Sequence, residues 1–194
     1  MKLVFATNNQ NKVSEIKSLV PEGIEILSLQ DIDCNKELPE TTLTLEGNAL
    51  QKARYVFDNY GYNCFADDTG LEIDTLNGEP GVYSARYAGE ECKSEDNINL
   101  VIQKLKGKIN RNAKFRTVIA LIIDSTETLF EGECKGEITD ERSGIEGFGY
   151  DPIFKPLGFN KTFAEMNQNE KGVISHRGKA VKKLLESLDC YSIY

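Results

Sequence analysis

The sequence predicts an α/β protein, and three features of its 194 residues support this class. An apolar run at Leu3 to Ala6, a polar loop and then a helical pattern form a strand, loop and helix unit. Residues 115–123 and 129–138 are rich in β-branched residues, which predicts a long antiparallel pair of strands. Amphipathic helices are predicted near residues 45–60 and at the C-terminal end. A sheet lobe inserted between helical ends, within one domain, is the predicted arrangement.

Composition narrows the class of function. A net charge of -8 argues against a nucleic acid polymer as partner, because such binding needs a basic face. No signal peptide or membrane span is evident, so we expect no membrane partner and a cytoplasmic location. An odd number of scattered cysteines indicates a reduced intracellular protein, not a disulfide scaffold. The five are Cys34, Cys64, Cys92, Cys134 and Cys190.

The polar loop after the first strand is a candidate anion site. It feeds a helix predicted from about Val13 to Val20, and backbone amides at a helix N-terminus attract phosphate. Lys12 adds a positive charge there. A solvated loop before an ordinary helix is the alternative, and without a glycine the loop matches no Walker motif. Its residues are Thr7, Asn8, Asn9, Gln10, Asn11 and Lys12.

Two candidate side chains come next. Glu40 follows a proline in an irregular acidic segment, where it is either a metal carboxylate or an exposed glutamate. A clear helical pattern then runs from Leu45 to Tyr60 and stops at Gly61. Lys52 lies beside its apolar stripe, so it is either solvated or reaches over the core to a phosphate.

Two adjacent carboxylates, Asp67 and Asp68, follow the apolar residues Cys64 to Ala66. We expect a strand that ends there, with Thr69 and Gly70 turning the chain. Paired carboxylates repel, and a bound divalent cation relieves that repulsion. Oxygen ligands without thiolate or imidazole favour magnesium over zinc. An Asx-turn without a metal is the alternative reading.

A glycine-rich motif at Gly144 to Pro152 offers close backbone approach and two stacking faces, Phe148 and Tyr150. It lacks the third glycine of a dinucleotide turn, and Pro152 stands where the helix should start.

Near the C-terminal end, Ser175 is predicted to cap a helix, as Ser94 is for an earlier one. His176 and Arg177 then oppose the helix dipole, which suggests a ligand. As the only histidine, His176 excludes a histidine-based zinc site, and no local pattern supports a Cys-His nucleophile.

Taken together, five motifs resemble the inosine triphosphate pyrophosphatase family, also called XTP/dITP diphosphatases. The resemblance runs from end to end of the chain. It is carried by residues 7–12, 65–71, 80–87, 148–154 and 175–178. It implies a single pyrophosphatase domain over residues 1–194, elongated, with a long central mixed sheet flanked by helices and an active-site cleft between two lobes. It also implies a magnesium-dependent homodimer that hydrolyses ITP, dITP and XTP to the monophosphate and pyrophosphate.

Site roles follow from the resemblance by position. Residues 7–12 would cradle the triphosphate, with Thr69 at a phosphate. Glu40 and Asp68 would hold magnesium, and the catalytic residues would be Asp68, Lys52 and Asp67. The residues around the nucleotide, largely at its base, would be Phe148, Gly149, Tyr150, Asp151, Lys171, His176 and Arg177. Asn8-Asn9 in place of the commoner Gly-Asn pair, and threonine in place of serine at 69, are the departures from the family pattern.

Overall fold

The structure is a computed structural model that describes residues 1–21 and 23–189. Within those residues it has seven strands in one mixed sheet and five α-helices, which confirms the predicted α/β class. The strands are β1 (Lys2–Phe5), β2 (Glu25–Leu27), β3 (Cys64–Ile73), β4 (Pro80–Gly81), β5 (Asn112–Ile123), β6 (Thr126–Ile138) and β7 (Phe154–Pro156). The helices are α1 (Gln10–Leu19), α2 (Leu45–Tyr60), α3 (Ser94–Lys104), α4 (Gln168–Ile174) and α5 (His176–Asp189). The sheet order is β2-β1-β3-β5-β6-β7, and β4 pairs with β3.

Two compact units divide the chain. Unit 1 consists of Met1–Asp68, Thr117–Gly132 and, among the described residues, 177–189. Unit 2 consists of Thr69–Arg116 and Glu133–His176. A single domain over residues 1–194, with a cleft between two lobes, stays a prediction.

Unit 1 is built on parallel strands. β1 pairs in parallel with β2 and with β3, and Phe5 lies opposite Phe65 in that register. The two rings stack with centroids 4.6 Å apart, and both side chains are fully buried. The core continues into one face of α1 and of α5. Its buried members are Leu3, Phe5, Val13, Ile16, Phe65, Ile119, Leu121, Ile123, Ala180, Val181, Leu184 and Leu188.

Helix α2 has the limits that its sequence predicts. Thr44 is the N-cap, and its hydroxyl oxygen accepts a hydrogen bond from the backbone N–H of Gly47 at 3.0 Å. Gly61 ends the helix in the left-handed region at φ 70°. The helix therefore presents a defined buried face, which includes the polar residues Asn48 and Lys52.

The predicted strand end at Asp67 and Asp68, with a turn at Thr69 and Gly70, is wrong, because these residues lie inside the ten-residue strand β3. The strand is held at both ends: Phe65 pairs with β1, and Leu71 pairs with Gly81 of β4. Gly70 is needed for close packing and not for a turn, since a Cβ there would lie 2.7 Å from the Gly81 carbonyl oxygen. Asp67 and Asp68 are consequently buried strand residues, at 0% and 7% exposure.

Unit 2 has a separate core that is rich in aromatic rings. Phe115 contacts Phe154 edge to face with centroids 4.7 Å apart, and Phe154 contacts Phe163 at 5.0 Å. β7 pairs antiparallel with β6 beside this cluster. Its other buried members include Leu71, Ile73, Ile98, Val101, Leu105, Ile138, Ile153 and Met166.

Several predicted boundaries differ from the structure for local reasons. Helix α1 begins at Gln10 and not near Val13, because the Asn9 side chain caps it. Ser94 is the first residue of α3 and not its cap; Lys93 occupies that position. β5 and β6 are neighbours joined by two residues, Asp124 and Ser125, both with positive φ, so β6 begins at Thr126 and not at residue 129 as predicted.

Helix α4 is missing from the prediction, although Asn167 and Glu170 form a capping box at its start. Ser175 does lie directly before α5, as predicted. Among the described residues, the four cysteines Cys34, Cys64, Cys92 and Cys134 are free thiols. Cys190 lies outside the described residues. The part of the chain that the structure describes contains no helix with the length and apolar character needed to cross a membrane.

Candidate functional site

The loop after β1 combines a helix cap with a basic side chain. Asn9 Oδ1 accepts hydrogen bonds from the backbone N–H groups of Asn11, at 3.0 Å, and Lys12, at 3.3 Å. The backbone N–H of Asn9 donates to the buried Thr7 hydroxyl oxygen. Two of the amides that were predicted to bind phosphate are therefore engaged by the Asn9 cap. Asn8 and Gln10 are exposed beside them.

Asp67 is the centre of a buried charge cluster in unit 1. Lys12 Nζ donates to Asp67 Oδ1 at 2.9 Å, and the Arg177 guanidinium approaches Asp67 Oδ2 at 3.3 Å. Arg177 is 2% exposed and also pairs with Glu15 from α1. Burial alone would raise the pKa of Asp67. The opposing charges of Lys12, Arg177 and Lys52 outweigh that effect and hold its pKa well below the ordinary value.

Lys52 is a buried lysine that connects Glu40 with Asp68. Its Nζ contacts Glu40 Oε1, donates to the Asp67 carbonyl oxygen at 2.7 Å, and lies 3.8 Å from Asp68 Oδ1. Burial would lower the pKa of Lys52, but the charges of Asp68, Glu40 and Asp67 raise it above the ordinary value. The ammonium group is therefore charged, and it lies beside the Glu40 and Asp68 carboxylates and the Asp67 backbone carbonyl. Of the two predicted readings, the solvated lysine is excluded, since the residue is 4% exposed.

Asp68 has a different environment from its neighbour Asp67. Asn48 Nδ2 donates to Asp68 Oδ2 at 2.9 Å. Burial raises the pKa of Asp68, and the charges of Lys52 and Lys12 only partly offset that rise. The two adjacent carboxyls thus have pKa values shifted in opposite directions, which is a frequent feature of catalytic acid pairs.

The carboxylates fit a magnesium ion that is shared with phosphate ligands. Glu40 and Asp68 offer hard oxygen donors, and their side chains are 35% and 10% exposed. Among residues 1–21 and 23–189, no group of three or more histidine, cysteine or acidic side chains is arranged around one metal position. Magnesium commonly takes one or two carboxylates and completes its shell with water and substrate phosphates. The donor set therefore fits that mode of binding and not a closed protein cage.

Unit 2 holds a second cluster of predicted site residues. Lys171 Nζ donates to Asp151 Oδ2 at 2.7 Å and lies 5.1 Å from the centroid of the Phe148 ring. The same carboxylate oxygen accepts the Phe148 backbone N–H at 2.7 Å. Gly147 has φ 76°, and a Cβ there would collide with the Asp151 carboxylate. The glycine-rich motif thus wraps around a buried aspartate and lysine pair.

The remaining predicted residues of unit 2 do not belong to this cluster, and each has its own surroundings. His176 is buried and stacks on Phe115 with ring centroids 4.5 Å apart. The Tyr150 hydroxyl donates to the Ser84 carbonyl oxygen at 2.8 Å and is buried, so this ring belongs to the core and not to an open stacking face. Gly149 adopts φ 61°, and Thr69 is a half-buried residue of β3.

The structure brings several of the predicted site residues together within unit 1. Lys12, Glu40, Asp68 and Arg177 come from four separate segments and meet around Asp67 and Lys52. Their assigned chemical roles stay predictions.

Two residues of this cluster were not predicted. Asn48 contacts Asp68, and Glu15 pairs with Arg177. The sequence could have indicated Asn48, because it lies four residues before Lys52 on the same helix face, next to Ala49 and Ala53. Glu15 lies on the first helix with no comparable pattern around it.

Comparisons with known proteins agree with these observations. A family model described as the Ham1 family matches residues 3–187. A dITP/XTP pyrophosphatase of Flavobacterium johnsoniae is 57% identical over 188 residues, covering 97% of this chain and 98% of the relative. The solved Ham1 protein of Staphylococcus aureus has a TM-score of 0.89 at 38% identity, over 98% of this chain and 100% of its own. A HAM1 protein from Coxiella burnetii has a TM-score of 0.90 at 35% identity, with 97% and 98% covered. The resemblance that the five motifs predict is thus confirmed, and the chain belongs to the Ham1 family.

Proposed function

We propose that this protein is a pyrophosphatase for deaminated purine nucleoside triphosphates. Its substrates are XTP, dITP and ITP, and its products are the nucleoside monophosphate and pyrophosphate. The names of full-length relatives supply the substrate class. The observation that carries the chemistry is the convergence in unit 1 of three cations with the Glu40, Asp67 and Asp68 carboxylates.

Neutralising phosphate charge is the main demand of the reaction. A nucleoside triphosphate carries about four negative charges, and more charge develops on the leaving pyrophosphate during cleavage. Lys12, Lys52 and Arg177 supply three positive charges, and the carboxylates of Glu15, Glu40, Asp67 and Asp68 pair with them. A bound divalent cation would therefore be needed to give this cluster a net positive charge toward a small polyanion.

Magnesium is the proposed cofactor, held by Glu40 and Asp68 together with the phosphates. The chemistry that a bound magnesium ion supplies is the neutralisation of phosphate charge. Asp68 Oδ1 would accept the proton of the attacking water, while Oδ2 stays engaged by Asn48. Asp67 is assigned a holding role for Lys12 and Arg177, because both of its oxygens already face those cations.

Base recognition is proposed for unit 2. The Lys171 ammonium is the donor proposed for a 6-oxo group, whereas the Phe148 backbone N–H already donates to Asp151. Adenine carries an amino group at that position, so a donor would face a donor. Leaving such a buried polar group unpaired costs about 1–3 kcal/mol.

A substrate panel tests the proposal. Purified protein is incubated with XTP, dITP, ITP, GTP and dTTP, with magnesium and then with EDTA, and products are resolved as pyrophosphate or phosphate. We expect pyrophosphate from the first three nucleotides and none with EDTA. No pyrophosphate from any of them would refute the activity, and release of single phosphate would refute the bond assignment.

Lys52→Met provides the variant for the same assay. Loss of a preorganised charge at the phosphates should lower kcat by about 10²- to 10³-fold. Lys36→Met, at an exposed lysine of unit 1, is the matched control. Equal activity of the two variants would remove Lys52 from the mechanism.

Two further properties are proposed from the resemblance. The protein would be a homodimer, which light scattering on the purified chain tests directly. A cytoplasmic location is proposed because the substrates belong to the nucleotide pool.

A further inference from the structure

Asn48 is a hydrogen-bonded polar side chain in the buried face of α2. It is 1% exposed. Its Nδ2 donates to Asp68 Oδ2 at 2.9 Å, and its Oδ1 accepts from the Thr42 backbone N–H at 3.0 Å and from the Thr42 hydroxyl at 2.8 Å. The Thr42 hydroxyl also donates to the Thr44 carbonyl oxygen at 3.0 Å, so the Thr42 backbone N–H is the donor that Asn48 does not share. A buried amide is costly unless it is satisfied in this way, and here it joins two segments that are distant in sequence.

The segment at residues 40–42 is fastened to α2 one residue at a time. Lys52 contacts the Glu40 carboxylate, and Gln51 Oε1 accepts the Thr41 backbone N–H at 2.9 Å. Asn48 completes the series at Thr42. Gly47 makes the close approach possible, because a Cβ at that position would lie 2.8 Å from Thr42 Cβ. The position of Glu40 is therefore set by the helix and not by the irregular segment that precedes it.

The same amide orients Asp68. A carboxylate at the end of two rotatable bonds can turn, and a charge-assisted hydrogen bond to one oxygen restricts that rotation. With Oδ2 bound to Asn48, the other oxygen lies on the side of Lys52, 3.8 Å from its Nζ. Glu40 contacts the same ammonium group. Asn48 thus acts on both acids: directly on Asp68, and through Thr42 on the segment that carries Glu40.

We propose that Asn48 is a positioning residue that couples the Asp68 carboxylate to the 40–42 segment and so sets the separation of Glu40 and Asp68. Its catalytic consequence rests on the proposed function, whereas the coupling itself is a property of the metal-free protein. A network of hydrogen bonds holds a geometry more strictly than a single contact does.

The coupling is measured first without metal or nucleotide. Amide hydrogen exchange is followed by NMR in wild type, Asn48→Ala and Asn59→Ala. Asn59 is an exposed asparagine of the same helix whose side chain bonds only locally, to the Tyr55 carbonyl oxygen, and it serves as the matched control. We expect exchange at the Thr42 amide to accelerate by about tenfold or more in Asn48→Ala alone, since that amide loses its acceptor. Unchanged protection of Thr42 would overturn the coupling.

The catalytic consequence is measured by magnesium titration of ITP hydrolysis. Asn48→Ala should lower kcat by about ten- to a hundredfold and raise the half-saturating magnesium concentration. The KM for ITP at saturating magnesium should stay near that of wild type, and the raised magnesium midpoint is the readout that a smaller folded fraction would not change. Wild-type values for both kcat and the magnesium midpoint would overturn the positioning role. An inactive wild type would instead refute the proposed function, and the exchange experiment would still decide the coupling.

Asn48→Asp separates the two halves of the contact and replaces Asn48→Ala if that variant does not fold. An aspartate keeps the acceptor for Thr42 but loses the donor to Asp68. We expect wild-type protection of the Thr42 amide together with reduced kcat. Full activity in this variant would show that the hydrogen bond to Asp68 has no role.

Discussion

Replacing Asp67 with asparagine tests whether the charge at the centre of unit 1 holds the site together. The carboxylate is 0% exposed and lies between Lys12, at 2.9 Å, and Arg177, at 3.3 Å. An asparagine keeps the shape but removes the charge, and its amide NH2 must face one of two cationic donors. Removing one partner of a buried ion pair costs about 3–5 kcal/mol, because the remaining charge stays buried without compensation.

That cost is large compared with the stability of a folded domain, which is about 5–15 kcal/mol. For a chain of this length, about 1 kcal/mol corresponds to about 2–4 °C in Tm, so Asp67→Asn should melt about 6–20 °C below wild type. Urea unfolding gives the free energy directly. Asp58→Asn, at an exposed aspartate of α2, is the control and should change it by less than about 0.5 kcal/mol. If Asp67→Asn were as stable as that control, the charge cluster would not have the holding role assigned here.

The same carboxylate predicts a dependence on pH. The folded-state pKa of Asp67 lies well below that of an unfolded aspartate, which is about 3.9. Its ionised form therefore stabilises the fold fully above that value, and the contribution is lost as pH falls through the lower folded pKa. The difference in unfolding free energy between wild type and Asp67→Asn should be constant from pH 7 to about 5 and should narrow below about 4. A gap that stays constant down to pH 3 would contradict this assignment.

Two further predictions use matched positions. Gly147→Ala should raise the KM for ITP because its Cβ would collide with the Asp151 carboxylate. Gly158→Ala, which has similar positive φ but open space around it, should show only the left-handed strain of about 1–2 kcal/mol and an unchanged KM. Cys64 should resist iodoacetamide at pH 8, because burial raises the pKa of its thiol to about 12, while the exposed Cys92 should react. Peptide mass spectrometry distinguishes the two cysteines, and rapid labelling of Cys64 in the folded protein would contradict its burial.

Local sequence was sufficient to predict the limits of a helix where capping residues mark its two ends. Thr44 and Gly61 delimit α2 by side-chain capping and by left-handed backbone geometry, and both are readable from sequence. The capping box of Asn167 and Glu170 was equally readable and announces α4. Residues whose partners are neighbours in the chain are predictable in this way.

The Asp67 to Gly70 stretch shows where such reading fails. Its four residues have the composition of a turn, yet they form a strand. The reason is long-range: β1 and β4 hold the two ends of β3, and cations from three distant segments compensate the buried acids. Local preference for a turn is weak compared with those interactions.

The amino-acid sequence by itself determined the fold class and the limits of α2, which follow from periodicity and capping. It also singled out Lys12, Glu40, Lys52 and Arg177 as candidates, whose proposed roles come from the family resemblance. Only the tertiary structure decided that Asp67 and Asp68 lie in a strand, that their pKa values shift in opposite directions, and that Asn48 joins Asp68 to Thr42. The physical reason is that burial, charge pairing and hydrogen-bond partners depend on which distant segments meet, and nothing in the spacing of neighbours along a chain specifies that.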